Sequence, residues 1–97
     1  MKRDAAARML EALGHPNRLA IVEALVGWPE GWSAAELAEE LGIPGSTLSF
    51  HLGCLVKTGI LNQQRLHQKR IYRLIPGRLT EAAAFLTEIE KLGSARR

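Results

Sequence analysis

From residue 4 to residue 58 the apolar positions recur every three or four residues; from 61 to 75 they alternate. The first spacing predicts helices and the second predicts strands. Over 4–13, Ala6, Met9, Leu10 and Leu13 share one helical face. Gly14 ends that helix, and Pro16 suits the first turn of the next. Over 16–27, Leu19, Ile21, Val22, Leu25 and Val26 form a wide apolar stripe, which Gly27 and Pro29 break. A loop, WPEGW, follows. Ser33 and Glu36 then have the spacing of a capping box that opens a third helix. Leu37 and Leu41 face inward on it, Glu36, Glu39 and Glu40 face solvent, and Gly42 stops it.

The connection Ile43-Pro44-Gly45 leads into STLSFHLGCL, residues 46–55. Leu48, Leu52, Leu55 and Val56 lie on one face of a fourth helix, and Gly59 is its natural C-terminal glycine. Two short helices joined by a tight turn make a helix-turn-helix pattern. The leucines explain why the second helix packs. They leave Ser46, Thr47, Ser49 and Phe50 pointing elsewhere, and these side chains suit phosphates, base edges and thymine methyls. Residues 61–66 (LNQQRL) and 70–75 (RIYRLI) read as two strands. The turn between them, His67-Gln68-Lys69, has no Gly or Asn, which argues against a tight two-residue type. Arg65, Lys69 and Arg70 crowd its tip. Pro76-Gly77 breaks the chain, and a last helix over 78–92 carries Leu79, Ala82, Ala83, Leu86 and Ile89 on one stripe. The expected fold is mainly α with a two-stranded β-wing. Four helices, two strands and a fifth helix follow one another in a single winged helix-turn-helix domain over 1–97.

Charge sharpens this picture. The net charge of +3 is unevenly placed: the forty residues between Glu40 and Glu81 hold no Asp or Glu. That block holds Lys57, Arg65, Lys69, Arg70, Arg73 and Arg78, six of the thirteen basic residues. Such segregation is the electrostatic footprint of a face that binds a polyanion. An apolar content of 46% with 24% charged residues describes a globular chain, not a disordered one. One cysteine excludes an intrachain disulfide and fits a reducing compartment. No signal peptide or membrane span is legible, so the expected location is the cytoplasm.

Other residues invite chemistry. His51 would need partners to hold a metal, and His15 and His67 lie in other elements. It reads as a histidine fixed by hydrogen bonds near the helix surface, or one touching a phosphate. Cys54 follows Phe50 by four positions and Thr47 by seven, on the reading side. It is either a redox switch, if neighbouring cations lower its pKa, or a quiet small side chain. Phe50 either meets a thymine methyl or covers the first helix. Trp28 and Trp32 read as a lid over the core more readily than as the walls of an effector pocket. No Ser-His-Asp, Cys-His, paired-carboxylate or phosphate-loop constellation is visible, so neither an enzyme nor a cofactor is expected.

LGHPNRLAIVEAL, then SAAELAEELGIPGSTLSFHLGCLVKTGIL, then RIYRL, in this order and spacing, resemble the ArsR-type bacterial repressors over roughly residues 9 to 75. The resemblance implies a dimeric winged helix-turn-helix that represses transcription by binding operator DNA. Its first and last helices would be the dimer interface, and in many members a metal ion releases the DNA. Two departures follow. Where metal sensors carry a pair of cysteines, this chain has Trp32, Ser33, Ala34 and Ala35. Its last helix has Glu81, Glu88 and Glu90 but no histidine, so no metal site carries over. The expected partners are double-stranded DNA and a second copy of the chain, with no membrane. The expected DNA contacts are Ser33, Gly45, Ser46, Thr47, Ser49, Phe50, His51, Lys57, Arg65, Lys69 and Arg70. The rival reading is a winged-helix protein-interaction module without DNA binding, against which the acid-free block argues.

Overall fold

The computed structural model describes residues 1–95. Its elements are α1 (Arg3–Leu13), α2 (Pro16–Val26), β1 (Trp32–Ser33), α3 (Ala34–Leu41), α4 (Gly45–Lys57), β2 (Leu61–Leu66), β3 (Lys69–Leu74) and α5 (Arg78–Ala95). The five helices fall where the apolar period places them, and their ends follow local chemistry. His15 caps α2, its Nδ1 accepting from the Asn17 N–H at 3.1 Å. Ser33 and Glu36 close the capping box of α3: the hydroxyl accepts from the Glu36 N–H at 3.2 Å, and the carboxylate accepts from the Ser33 N–H at 2.8 Å. Gly42 ends α3 at φ 65°, a left-handed position that glycine adopts without steric cost. That is the sharp turn that delivers the chain to α4.

Two expectations need correcting. The sheet has three strands, in the order β1-β3-β2, and not two. Trp32 pairs with Tyr72 and Ser33 with Ile71, antiparallel. Two residues are too few for an alternation to show, so periodicity could not reveal β1. Gly31 permits the approach: at φ +89° its Cβ would lie 2.6 Å from Ile71 Cγ2 and 2.8 Å from the Tyr72 carbonyl oxygen. The wing turn is also tighter than expected. Leu66 pairs with Lys69, which leaves only His67-Gln68 between the strands, and His67 takes φ 60°. Lys69 therefore belongs to β3.

The core gathers Met9 of α1, Ile21 and Leu25 of α2, Leu37 of α3, Leu48, Leu52 and Leu55 of α4, and Ile60 and Leu61 at the foot of the wing. Full burial of each large side chain contributes about 1.5–3 kcal/mol. The α2 stripe is only partly used, since Leu19 and Val26 are exposed. On α5, Ala82 is buried, but Leu86, Ile89 and Leu92 are 47%, 53% and 63% exposed. The last helix thus carries an apolar stripe out of the core along a molecule 55 × 23 × 22 Å in extent.

Candidate nucleic-acid interface

Helix α4 is held from behind. Leu48, Leu52 and Leu55 are completely buried, and they orient everything else on the helix. Gly45, Ser46, Thr47, Ser49, Phe50 and Lys57 are exposed. No side chain caps α4 at its N-cap, Pro44, so the first-turn amides have no side-chain acceptor. Phe50 is 63% exposed, with the Arg18 guanidinium 5.9 Å from its ring centroid. It does not serve as core packing.

Two of the expected contact residues are withdrawn from the surface. His51 is buried: its Nδ1 accepts from Arg18 Nε at 3.1 Å, and its ring lies 4.5 Å from that of His15 and 5.5 Å from that of Phe50. Burial lowers its pKa, and the charges of His15 and Arg18 act in the same direction. That hydrogen bond ties α4 to α2 and uses the Nδ1 acceptor of the imidazole. Ser33 is likewise buried, its hydroxyl engaged in capping α3. Of the two sequence readings of His51, the histidine fixed by hydrogen bonds is the one seen. Arg18, which fixes that imidazole and also donates to the Ala12 carbonyl at 3.4 Å, was missed. Its signal was present in the sequence as the arginine of LGHPNR.

The wing adds cations beside the helix. Ser49 and Arg70 line two adjoining grooves between α4 and β3. One, of about 470 Å3, also has Lys69 and Tyr72, with Ser33, Glu36 and Glu39 on the α3 side. The other, of about 390 Å3, has Gly53, Lys57 and Gln63. Helix and wing therefore line one continuous face, on which Gln63 and Tyr72 also lie. Arg65 pairs directly with Arg70 across the ladder. Like charges in that position are unfavourable by some tenths of a kcal/mol unless an anion bridges them. Arg73 and Arg78, counted in the basic block, are used internally. Arg73 donates to the Glu30 carbonyl at 3.0 Å and to Gln64 Oε1 at 2.7 Å. Arg78 donates to the Gly59 carbonyl at 3.1 Å and meets Glu81 at 3.5 Å. Lys57, Arg65, Lys69 and Arg70 remain.

Cys54 is partly buried in a notch of about 380 Å3 among Arg8, Glu11, Arg18, Phe50, Lys57 and Thr58. Trp28 lies in the connection between α2 and β1, and Trp32 in β1. Trp32 packs on the core, but Trp28 is 45% exposed and is not the lid expected of it. Among the described residues no group of three or more His, Cys, Asp or Glu side chains is placed to hold a metal ion, and no helix is long and apolar enough to cross a membrane.

Comparison with known proteins now decides the family. The model of a helix-turn-helix domain family matches residues 13–64, from the end of α1 into β2. The chain belongs to the ArsR family of winged helix-turn-helix transcriptional regulators. It is 39% identical over 69 residues to the HTH-type transcriptional regulator YgaV of Escherichia coli, covering 71% of this chain and 69% of that protein. It is 42% identical over 79 residues to the Biofilm growth-associated repressor of Xylella fastidiosa; the match covers 80% of this chain but only 62% of that relative's length. The fold is similar to that of an ArsR-like transcriptional regulator from Rhodococcus, with a TM-score of 0.85 at 23% identity over 96% of this chain and 86% of that one.

Proposed function

We propose that this ArsR-family chain is a dimeric, cytoplasmic repressor that reads a pseudo-palindromic operator with α4 and grips the DNA backbone with the wing. The observation that carries the reading is the exposed face of α4, Ser46, Thr47, Ser49 and Phe50, set beside a wing whose Arg65 and Arg70 face each other. Short hydroxyl side chains reach base edges when a helix enters the major groove, and Phe50 offers an apolar contact to a thymine methyl. Lys57, Arg65, Lys69 and Arg70 supply phosphate contacts, and the uncapped start of α4 offers amide donors to another. The similarity to a named repressor supports the direction of regulation.

The dimer rests on α5. Three large aliphatic side chains on one stripe in water mark an association surface, and α1 packs beside α5 at its base. A two-fold pairing of α1 and α5 would bury the stripe and set two recognition helices about 34 Å apart, one turn of DNA.

The test is selection from a random duplex library. The account predicts enrichment of a two-fold site whose half-sites lie about 10 base pairs, or a multiple, apart. No enrichment, with binding equal to random DNA, would leave a protein-interaction module instead. The reading also holds that the family's metal-release sites are absent. Zn(II), Cd(II), Ni(II) or As(III) at one equivalent should leave the complex with the selected DNA intact in a gel shift; chelator-reversible release by any of them would refute this.

A further inference from the structure

The two tryptophans remain outside the DNA reading. Trp28 leaves nearly half of its surface in water, a large apolar exposure for a side chain beside a core. Its ring centroid lies 5.3 Å from that of Trp32, and the ring planes meet at 52°. The two indoles are therefore tilted against each other and not stacked. It forms one wall of a cleft of about 730 Å3, large enough for a small organic molecule. Ala20, Ala24, Gly27 and Leu41 complete the apolar lining, and the only charged walls are Glu23 and Glu40. A neighbouring hollow of about 480 Å3 shares both tryptophans and Glu40 and adds Glu36 and Glu39.

No lysine, arginine or histidine lines either space, in a chain whose net charge is +3. Among the described residues, Glu23, Glu39 and Glu40 have no basic partner within 4.0 Å. The cleft is thus lined by two indoles, methyl groups and carboxylates without a basic partner. Indole faces attract cations, tryptophan most strongly among the aromatics. A cation without N–H donors leaves no hydrogen bond unmade against rings and methyls, and the carboxylates supply the counter-charge.

We propose that the Trp28–Trp32 cleft is a binding site for a small quaternary organic cation. The proposal does not rest on the DNA reading, and its test needs no DNA.

The test is NMR titration of the full chain with benzyltrimethylammonium, following the two indole Nε1–H signals. Neopentylbenzene, in which carbon replaces the charged nitrogen, is the control. Both indole signals should move saturably with the cation, and the neutral isostere should bind about tenfold more weakly. Trp28→Ala removes an exposed ring, so the fold is retained. It should weaken binding about tenfold, read on the remaining indole, and Glu40→Gln should weaken it by a smaller factor of about three. Absence of a saturable shift up to about 10 mM cation would overturn the proposal. Equal binding of the isostere, or unchanged binding to Trp28→Ala, would do the same. If N-acetyl-lysine-methylamide bound as tightly as the quaternary probe, the cleft would instead suit a basic protein segment, and the proposal would fall.

Discussion

Helix α4 and the β2–β3 wing lie side by side on one face and are built in opposite ways. Helix α4 has three leucines with no exposure and a histidine locked to Arg18. The wing has two buried anchors, Leu61 at its foot and Ile71, while every residue from Asn62 to Arg70 is exposed. Base recognition requires side chains held in fixed register, and burial provides that. Backbone contact requires positive charge on an element that can follow the duplex, and a hairpin with an exposed tip provides that. On the proposed function, that difference gives specificity to α4 and affinity to the wing.

The largest effect concerns charge. Four available cations per protomer give about eight phosphate contacts per dimer, hence a log–log slope of affinity on salt near −7. Affinity would fall by about 10³–10⁵ between 50 and 200 mM salt. Arg70→Ala should flatten the slope by about 2 per dimer and weaken operator and random DNA alike. A parent slope shallower than about −3 would detach the wing from the backbone.

Second is anchoring. Leu52→Ala on α4 should cost about 2–5 kcal/mol in chemical denaturation. Leu66→Ala at the wing tip, where the side chain is 46% exposed, should cost under about 0.5 kcal/mol. Equal costs would erase the contrast between the two elements.

The smallest effect concerns pH. His51 has its pKa lowered by burial, so the unfolded chain binds a proton where the folded chain does not. Stability rises with pH wherever the unfolded state holds more protons. The His51 contribution is therefore complete above the ordinary histidine value of about 6.5 and is lost as pH falls through the folded value. Denaturation between pH 7 and pH 5 should show this loss, and His51→Gln should reduce it. A flat profile in the parent would contradict the Arg18–His51 lock.

Much of this was legible in the chain because burial imposes period. Leu48, Leu52 and Leu55 announced both the helix and its buried side, and Gly42 and the Ser33–Glu36 spacing announced its neighbour. What escaped depended on contacts between distant residues. β1 exists because Trp32 and Ser33 meet Tyr72 and Ile71, some forty positions away, and two residues carry no pattern of their own. Arg73 and Arg78 counted as free charge until the fold brought Glu30, Gln64 and Gly59 to them. His51 lies at the boundary of the two faces of α4, where one helical step separates a buried side chain from an exposed one. The two-residue wing turn escaped because His67 accepts a left-handed conformation for which the expected residues were Gly or Asn.

The central claim is that the hydroxyl face of α4 reads sequence while the wing does not. The most direct measurement is the affinity of Thr47→Ala and Ser49→Ala for the selected operator and for random duplex at one salt concentration. Each variant should fold and dimerise as the parent does, lose about 1–3 kcal/mol on the operator for each base contact removed, and bind random DNA unchanged. If both variants hold the operator as tightly as the parent, the hydroxyls are not the readers, and recognition moves to Phe50 or the wing.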